Sequence, residues 1–388
     1  MNKNLWIITA SQIFSFTPAP VNVFLSGIIG STLSPVKSLQ TLPTSLMIVG
    51  IAVFSFFAAK IMSKIGRKAG FLYAAIFSSS SALLAAYALW DKNFYLFCLA
   101  CFFIGCGMSF THQYRFAAAE SVEKSFIPKA LSIIMLASIF SALLGPNIAN
   151  FNKDLIDGHL YVGSYLSLAV LTSVPIIFLS FYKPKIEPAN IKTHKVRSYL
   201  ELILQPRFLQ AVASAAFAYA VMSFLMTATP INMHVLENYS LNKTSIVIQM
   251  HIVSMFLPSL ITGNLLKKFG HSKIIYAGVF FYILTILLSF LEPSFFSYLF
   301  SLIFLGIGWN FLYLSGTGLL VLSYKEKEKF KAQGFNDILV FSIQALASLS
   351  AGYMLSMTSW KTMNLIVIPF LLVIVLSSIR ADLSRDSK

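Results

Sequence analysis

Apolar runs of about twenty residues, separated by short polar or basic breaks, recur along the whole chain. A helix rises 1.5 Å per residue, so a run of about 20 apolar residues is enough to cross a bilayer core. Runs of that kind lie near 5–29, 41–62, 70–90, 94–117, 130–151 and 161–182. Six more lie near 207–232, 244–266, 273–291, 295–322, 336–357 and 362–379. Between the two sets is a polar segment, 183–206, holding Lys183, Lys185, Glu187, Lys192, Lys195, Arg197 and Glu201. The pattern predicts an all-α integral membrane protein with 12 transmembrane helices. The first run outlasts a signal-peptide core and shows no clear cleavage site, so it is read as a retained span.

Composition agrees with the pattern. Of 388 residues, 57% are hydrophobic and only 11% charged, with 36 phenylalanines. Soluble domains carry roughly 25% charged residues, so this chain lacks the polar surface a soluble protein of its size needs. The formal net charge of +15 is not a nucleic-acid footprint, because the basic residues sit in short loops between apolar runs. With both termini cytoplasmic, every one of the 29 Lys and Arg except Lys37, Lys92, Lys153, Lys243 and Lys361 falls on the inner side. That asymmetry follows the positive-inside bias of membrane proteins. Cys98, Cys101 and Cys106 all lie in one apolar run, where thiols act as small packing groups.

The two sets of runs can be laid over one another. A basic turn follows the second span of each, Lys60-Ile61-Met62-Ser63-Lys64-Ile65-Gly66-Arg67-Lys68 and Lys267-Lys268-Phe269-Gly270-His271-Ser272-Lys273. Tyr95-Leu96-Phe97 and Tyr298-Leu299-Phe300 open the fourth span of each set. Gly105/Gly107 then match Gly306/Gly308, and Lys129-Ala130 matches Lys331-Ala332. Repeats of this kind place a substrate site near the midplane between two halves that rock around it.

On these residues the chain resembles the major facilitator superfamily over essentially its whole length. The family's signature turn reads Gly-x-x-x-Asp-(Arg/Lys)-x-Gly-Arg-(Arg/Lys), which this chain matches at Lys64, Gly66, Arg67 and Lys68. Ala59 stands for the first glycine and Ser63 for the aspartate. In the fifth span, Leu144-Gly145-Pro146 is similar to the Gly-Pro motif of the family's exporters, although Ala149-Asn150 stand where a glycine pair follows in those proteins. The resemblance implies the major facilitator fold: two pseudo-symmetric six-helix bundles, 1–182 and 207–388, joined by a cytoplasmic central loop at 183–206. It also implies that the fourth, fifth, tenth and eleventh spans close the cytoplasmic side. Arg115, the deepest cation, is then expected to meet Asp337 across the halves. With Ser63, Arg67 and Glu120 these two residues form the expected cytoplasmic gate.

Polar groups within a span are costly and mark contacts or a pathway. The first span carries Gln12, Pro18, Pro20 and Asn22; its repeat partner, the seventh, carries Thr227, Pro230, Asn232 and His234. Prolines remove backbone donors, and in lipid the freed carbonyls are tolerated only beside protein or a wet cavity. Pro18, Pro20, Pro146 and Pro230 are therefore read as helix breaks. Gln249 and His251 in the eighth span and Trp309 and Asn310 in the tenth complete the expected substrate cavity. Its aromatic wall and amide suit a flat, partly polar organic ligand. His234 and His251 are candidates for proton coupling, although none of the 14 Asp and Glu falls in the middle of a span.

The function expected is secondary active transport of a small organic solute by alternating access, across the cell inner (cytoplasmic) membrane. Two versions stand open, a drug or siderophore efflux antiporter and a vitamin-like nutrient importer. An enzyme would need a nucleophile–base pair or a carboxylate cluster at one face, and a receptor would need long soluble loops; neither is present. No cofactor or metal set is called for, nucleic acid is not a partner, and the protein is expected to act as a monomer.

Overall fold

Residues 3–123, 127–183, 197–325 and 329–386 are described by the computed structural model. Among them, eleven helices are long and apolar enough to cross a membrane. The count is twelve when Leu241–Phe256 and Ser259–Phe269, bent by 41°, form one span. Numbered along the chain, spans 1 to 6 are Lys3–Leu33, Lys37–Met62, Arg67–Trp90, Phe94–Thr111, Ile133–Phe151 and Val162–Ser180. Spans 7 and 8 are Pro206–Leu236 and the bent pair; spans 9 to 12 are His271–Leu288, Phe295–Leu320, Phe335–Met357 and Trp360–Ser384.

The spans form two six-helix bundles with the same internal packing. Span 2 lies on 4, 3 on 4 and 6, and 1 on 6, as span 8 lies on 10, 9 on 10 and 12, and 7 on 12. Glycine makes the close approaches that lipid-embedded helices rely on. A Cβ on Gly105 would strike the Met47 carbonyl of span 2, and one on Gly107 would strike the Ser78 hydroxyl of span 3. Their repeat partners do the same, Gly306 against Ser254 of span 8 and Gly308 against Tyr282 of span 9. The two basic turns are also alike in backbone. Gly66 has φ +82° and ψ +158°, Gly270 φ +82° and ψ +163°, and each amide closes the preceding helix at 2.9 Å. Only glycine adopts that region readily.

The bundles meet along spans 2 and 11, 5 and 8, and 1 and 7. One end of the molecule carries the basic turns together with Asn4 and Asp382; we call it the basic end. At the opposite end the contacts are neutral hydrogen bonds. Ser348 of span 11 bridges Ser45 of span 2 (2.9 Å) and Thr227 of span 7 (3.1 Å). Asn147 of span 5 is paired with Gln249 of span 8 at 3.3–3.4 Å, and Asn150 donates to Asn242.

Two expectations of helix extent need correction. The run 94–117 is not one helix: span 4 ends at Thr111, and after a turn at His112 and Gln113 a separate helix, Tyr114–Glu120, carries Arg115. The run 244–266 is bent at Leu257 and Pro258, because Pro258 has no amide proton to continue the ladder.

Candidate functional site

The expected break in span 1 follows from its two prolines. Pro18 cannot donate to the Phe14 carbonyl nor Pro20 to that of Phe16. Thr17 and Ala19 reach those oxygens instead in tighter turns, at 3.2 and 3.1 Å. The Ile13 carbonyl, left without a backbone donor, is taken by the hydroxyls of Thr17 (2.8 Å) and Ser141 of span 5 (2.6 Å). Gly145 lies over this break, since a Cβ there would come within 3.0–3.3 Å of Val21, Thr17 and Pro20. Pro146 continues inside the helix Ile127–Phe151. Span 7 changes at Pro230 from α-helix to a π-helical turn, Ile231–Leu236, a form frequent at functional sites.

Several amides expected in the cavity are engaged within one bundle. Asn22 is fully buried; its amide donates to the Pro18 carbonyl (2.9 Å) and accepts from Tyr165 (3.0 Å) and the Cys101 thiol (3.4 Å). Asn310 clasps the bend of span 8. It donates to the Met255 carbonyl and the Ser259 hydroxyl, both at 2.7 Å, and accepts from Thr262 at 2.8 Å. Asn232 donates to the Tyr298 hydroxyl at 2.6 Å, well towards the opposite end. His234 bonds the Tyr239 carbonyl and Thr227 the Ser348 hydroxyl. Gln249 bridges Ser245 and Asn147.

What remains near the midplane is a closed circuit of rings contributed by both bundles. Phe16 of span 1 meets Phe256 of span 8 edge-on at 6.0 Å, and Phe256 meets Trp309 of span 10 at 6.0 Å. Trp309 lies edge-on to Tyr219 of span 7 at 5.1 Å and stacks on Tyr313 at 5.0 Å and 16°. Tyr219 continues to Phe341 of span 11 (5.9 Å), Phe341 to His112 (6.0 Å), and His112 back to Phe16 (6.4 Å). These are the spacings at which aromatic pairs attract through their quadrupoles. The buried polar atoms without a partner among the described residues include the Trp309 indole nitrogen, His251 Nε2 and Gln12 Oε1. His251 Nδ1 is held by the Leu302 carbonyl at 2.7 Å, and the Gln12 amide donates to Ser138 at 3.1 Å. A buried donor or acceptor left unmade costs about 1–3 kcal/mol, so such atoms mark where a polar ligand gains most. The circuit is an aromatic wall shared by both bundles, and the Trp309 indole nitrogen is an unpartnered donor within it.

On the basic side of the circuit, Arg115 Nη2 lies 3.8 Å from Asp337 Oδ2, bridging the two bundles. Arg115 is also within electrostatic reach of Tyr313 and Tyr219. Asp337 accepts from the neighbouring Asn336 amide at 3.1 Å. Arg67 and Glu120, in contrast, form a two-pronged pair inside the first bundle, at 2.7 and 2.5 Å. The side chain of Ser63 lies outside the described residues.

Sequence reasoning singled out Trp309 but missed Phe16, His112, Tyr219, Phe256, Tyr313 and Phe341. The one available signal was the spacing of Trp309 and Tyr313, which puts both rings on one helix face.

Comparison with known proteins agrees with this architecture. The family model described as Major Facilitator Superfamily matches residues 5–309 and 238–386. The riboflavin transporter RfnT of Brucella anthropi is 32% identical over 376 residues, covering 96% of this chain and 94% of that protein. The MFS-type transporter YddS of Bacillus subtilis is 25% identical, covering 94% and 87%. Among solved structures, the nucleoside transporter NupG superposes with a TM-score of 0.74 at 14% identity, covering 97% of this chain and 99% of that one. A bacterial homologue of the lysosomal transporter Spinster gives 0.71 at 13% identity and covers 97% and 96%. The chain belongs to the major facilitator superfamily and is a multi-pass membrane transporter.

Proposed function

We propose that the protein carries a flat heteroaromatic solute of the riboflavin type across the cytoplasmic membrane by alternating access. The observation that carries this reading is the ring circuit of Phe16, His112, Phe341, Tyr219, Trp309 and Phe256, drawn from both bundles. Stacking on such a wall selects for a planar ring system. The relationship to RfnT, 32% identical over nearly the whole chain, supports the same class. The reading favours a vitamin-like solute over drug or siderophore efflux. Gly145, which with Pro146 suggested an exporter, is accounted for by packing over the break in span 1.

In this reading residues 1–182 and 207–388 move as two bodies joined by 183–206, with both termini cytoplasmic. The ring circuit forms the midplane site, and Gln12, His251 and Trp309 supply hydrogen bonds at its margin. Arg115 and Asp337 hold the cytoplasmic side together when the site faces outward. In this reading the solute's own gradient drives flux. The test is purified protein in liposomes with radiolabelled riboflavin. Saturable, unlabelled-riboflavin-competed uptake supports the proposal, and a Trp309→Ala protein should raise KM by about tenfold. No uptake above empty liposomes would remove riboflavin from consideration.

A further inference from the structure

At the end opposite the basic turns, the second bundle encloses a pocket of about 270 Å³ between the ends of spans 7, 9, 10, 11 and 12. It stands apart from the ring circuit. Tyr298, in its wall, and Trp309 lie on the same helix, separated by about 16 Å at 1.5 Å per residue. The pocket does not depend on the transport reading above.

Its lining has an unusual hydrogen-bond balance. Six residues with hydroxyls line it, and four of them give their single proton to a backbone carbonyl. Ser289 donates to Ile286 (2.6 Å), Ser297 to Ser294 (2.8 Å), Ser301 to Thr285 (3.3 Å) and Thr358 to Met354 (2.7 Å). What these groups still offer is lone pairs. Asn232, with only 3% of its surface exposed, donates to the Tyr298 hydroxyl and keeps its carbonyl oxygen as a further acceptor. A ligand that fills the pocket must therefore bring donors for these oxygens, while the Tyr298 hydroxyl and the Lys361 ammonium can donate to it in turn.

The rest of the lining narrows the class. Trp360 and Tyr298 form an aromatic corner with ring centres 5.8 Å apart, a surface against which C–H groups pack. Leu236, Leu288 and Leu291 add apolar wall. The two charged residues, Glu237 and Lys361, are of opposite sign, so the mouth has no net preference for an ion. Donor-rich, uncharged and partly C–H surfaced describes a polyhydroxylated molecule. We propose that this pocket is a peripheral binding site for a neutral polyol or sugar, reached from the end opposite the basic turns.

Saturation-transfer NMR on the purified full chain in lipid nanodiscs, with sorbitol as probe and empty nanodiscs as blank, tests this. Transfer to the carbon-bound protons of sorbitol is expected, with about a fivefold loss in Trp360→Ala. Thr358→Val keeps the side-chain shape but removes the acceptor, and carries the test if Trp360→Ala does not fold; it should lower the signal too. Fully O-methylated sorbitol, which has no donors, should give no transfer, and Trp309→Ala should leave the sorbitol signal unchanged. No transfer in the unaltered protein, equal transfer from the methylated probe, or loss in Trp309→Ala with retention in Thr358→Val would overturn the proposal.

Discussion

Asn310 is the residue whose role the structure changes most. Within a tenth span beside Trp309 it reads as a substrate ligand, yet its amide makes three hydrogen bonds that hold the bend of span 8. The bend exists because Pro258 cannot donate, and Asn310 supplies a donor to the nearby Met255 carbonyl. Removing it strands buried groups, each costing about 1–3 kcal/mol. Asn310→Ala is therefore expected to lower the thermal midpoint of the purified protein clearly, a change that a tryptophan-fluorescence melt would detect. Trp309→Phe, which keeps a ring but removes the unpartnered indole nitrogen, should leave the midpoint close to that of the unaltered protein. An Asn310→Ala protein as stable as the parent would remove the clasp. Trp309 was legible in the sequence because a lone tryptophan stands out in an apolar span. Phe16, Phe256 and Phe341 were not, because they are three of 36 phenylalanines, and period alone does not say which face looks across to the other bundle.

At the scale of the helices, the two ends of the molecule are joined by different physics. The opposite end is tied by hydroxyls and amides, Ser45–Ser348–Thr227 and Asn147–Gln249. The basic end is tied by Arg115 and Asp337, an ion pair at 3.8 Å with about a third or more of each side chain exposed. Half-exposed pairs contribute about 1 kcal/mol or less and weaken with salt. Arg115→Ala or Asp337→Asn should therefore move the inward-to-outward ratio by about fivefold at most. Spin labels across the basic end would read this shift, and an unchanged distance distribution in both variants would argue against a gate there. Raising salt should shift the ratio in the unaltered protein the same way, whereas Ser348→Ala should act on the opposite end and show no salt dependence of its own. The sequence showed spans and the pairing of Gly105/Gly107 with Gly306/Gly308, because each depends on local chemistry. It did not show where span 4 stops, because Tyr114–Glu120 continues the same apolar, helix-favouring composition across the turn at His112.

For the whole molecule, the two glycine-matched bundles and the ring circuit between them lead to one claim. In the proposed function a planar solute binds among aromatic rings that both bundles contribute, and moving one bundle against the other transfers it from one face to the other. In the proposed reading the solute's own gradient drives flux, so a pH gradient across the membrane should leave the uptake plateau unchanged. The direct measurement is riboflavin uptake into proteoliposomes, made with and without a pH gradient, for the unaltered protein and Trp309→Ala. The account predicts saturable uptake, the same plateau under both conditions, and about a tenfold higher KM in the variant. Saturable uptake with an unchanged KM in Trp309→Ala, or no riboflavin uptake at all, would contradict it.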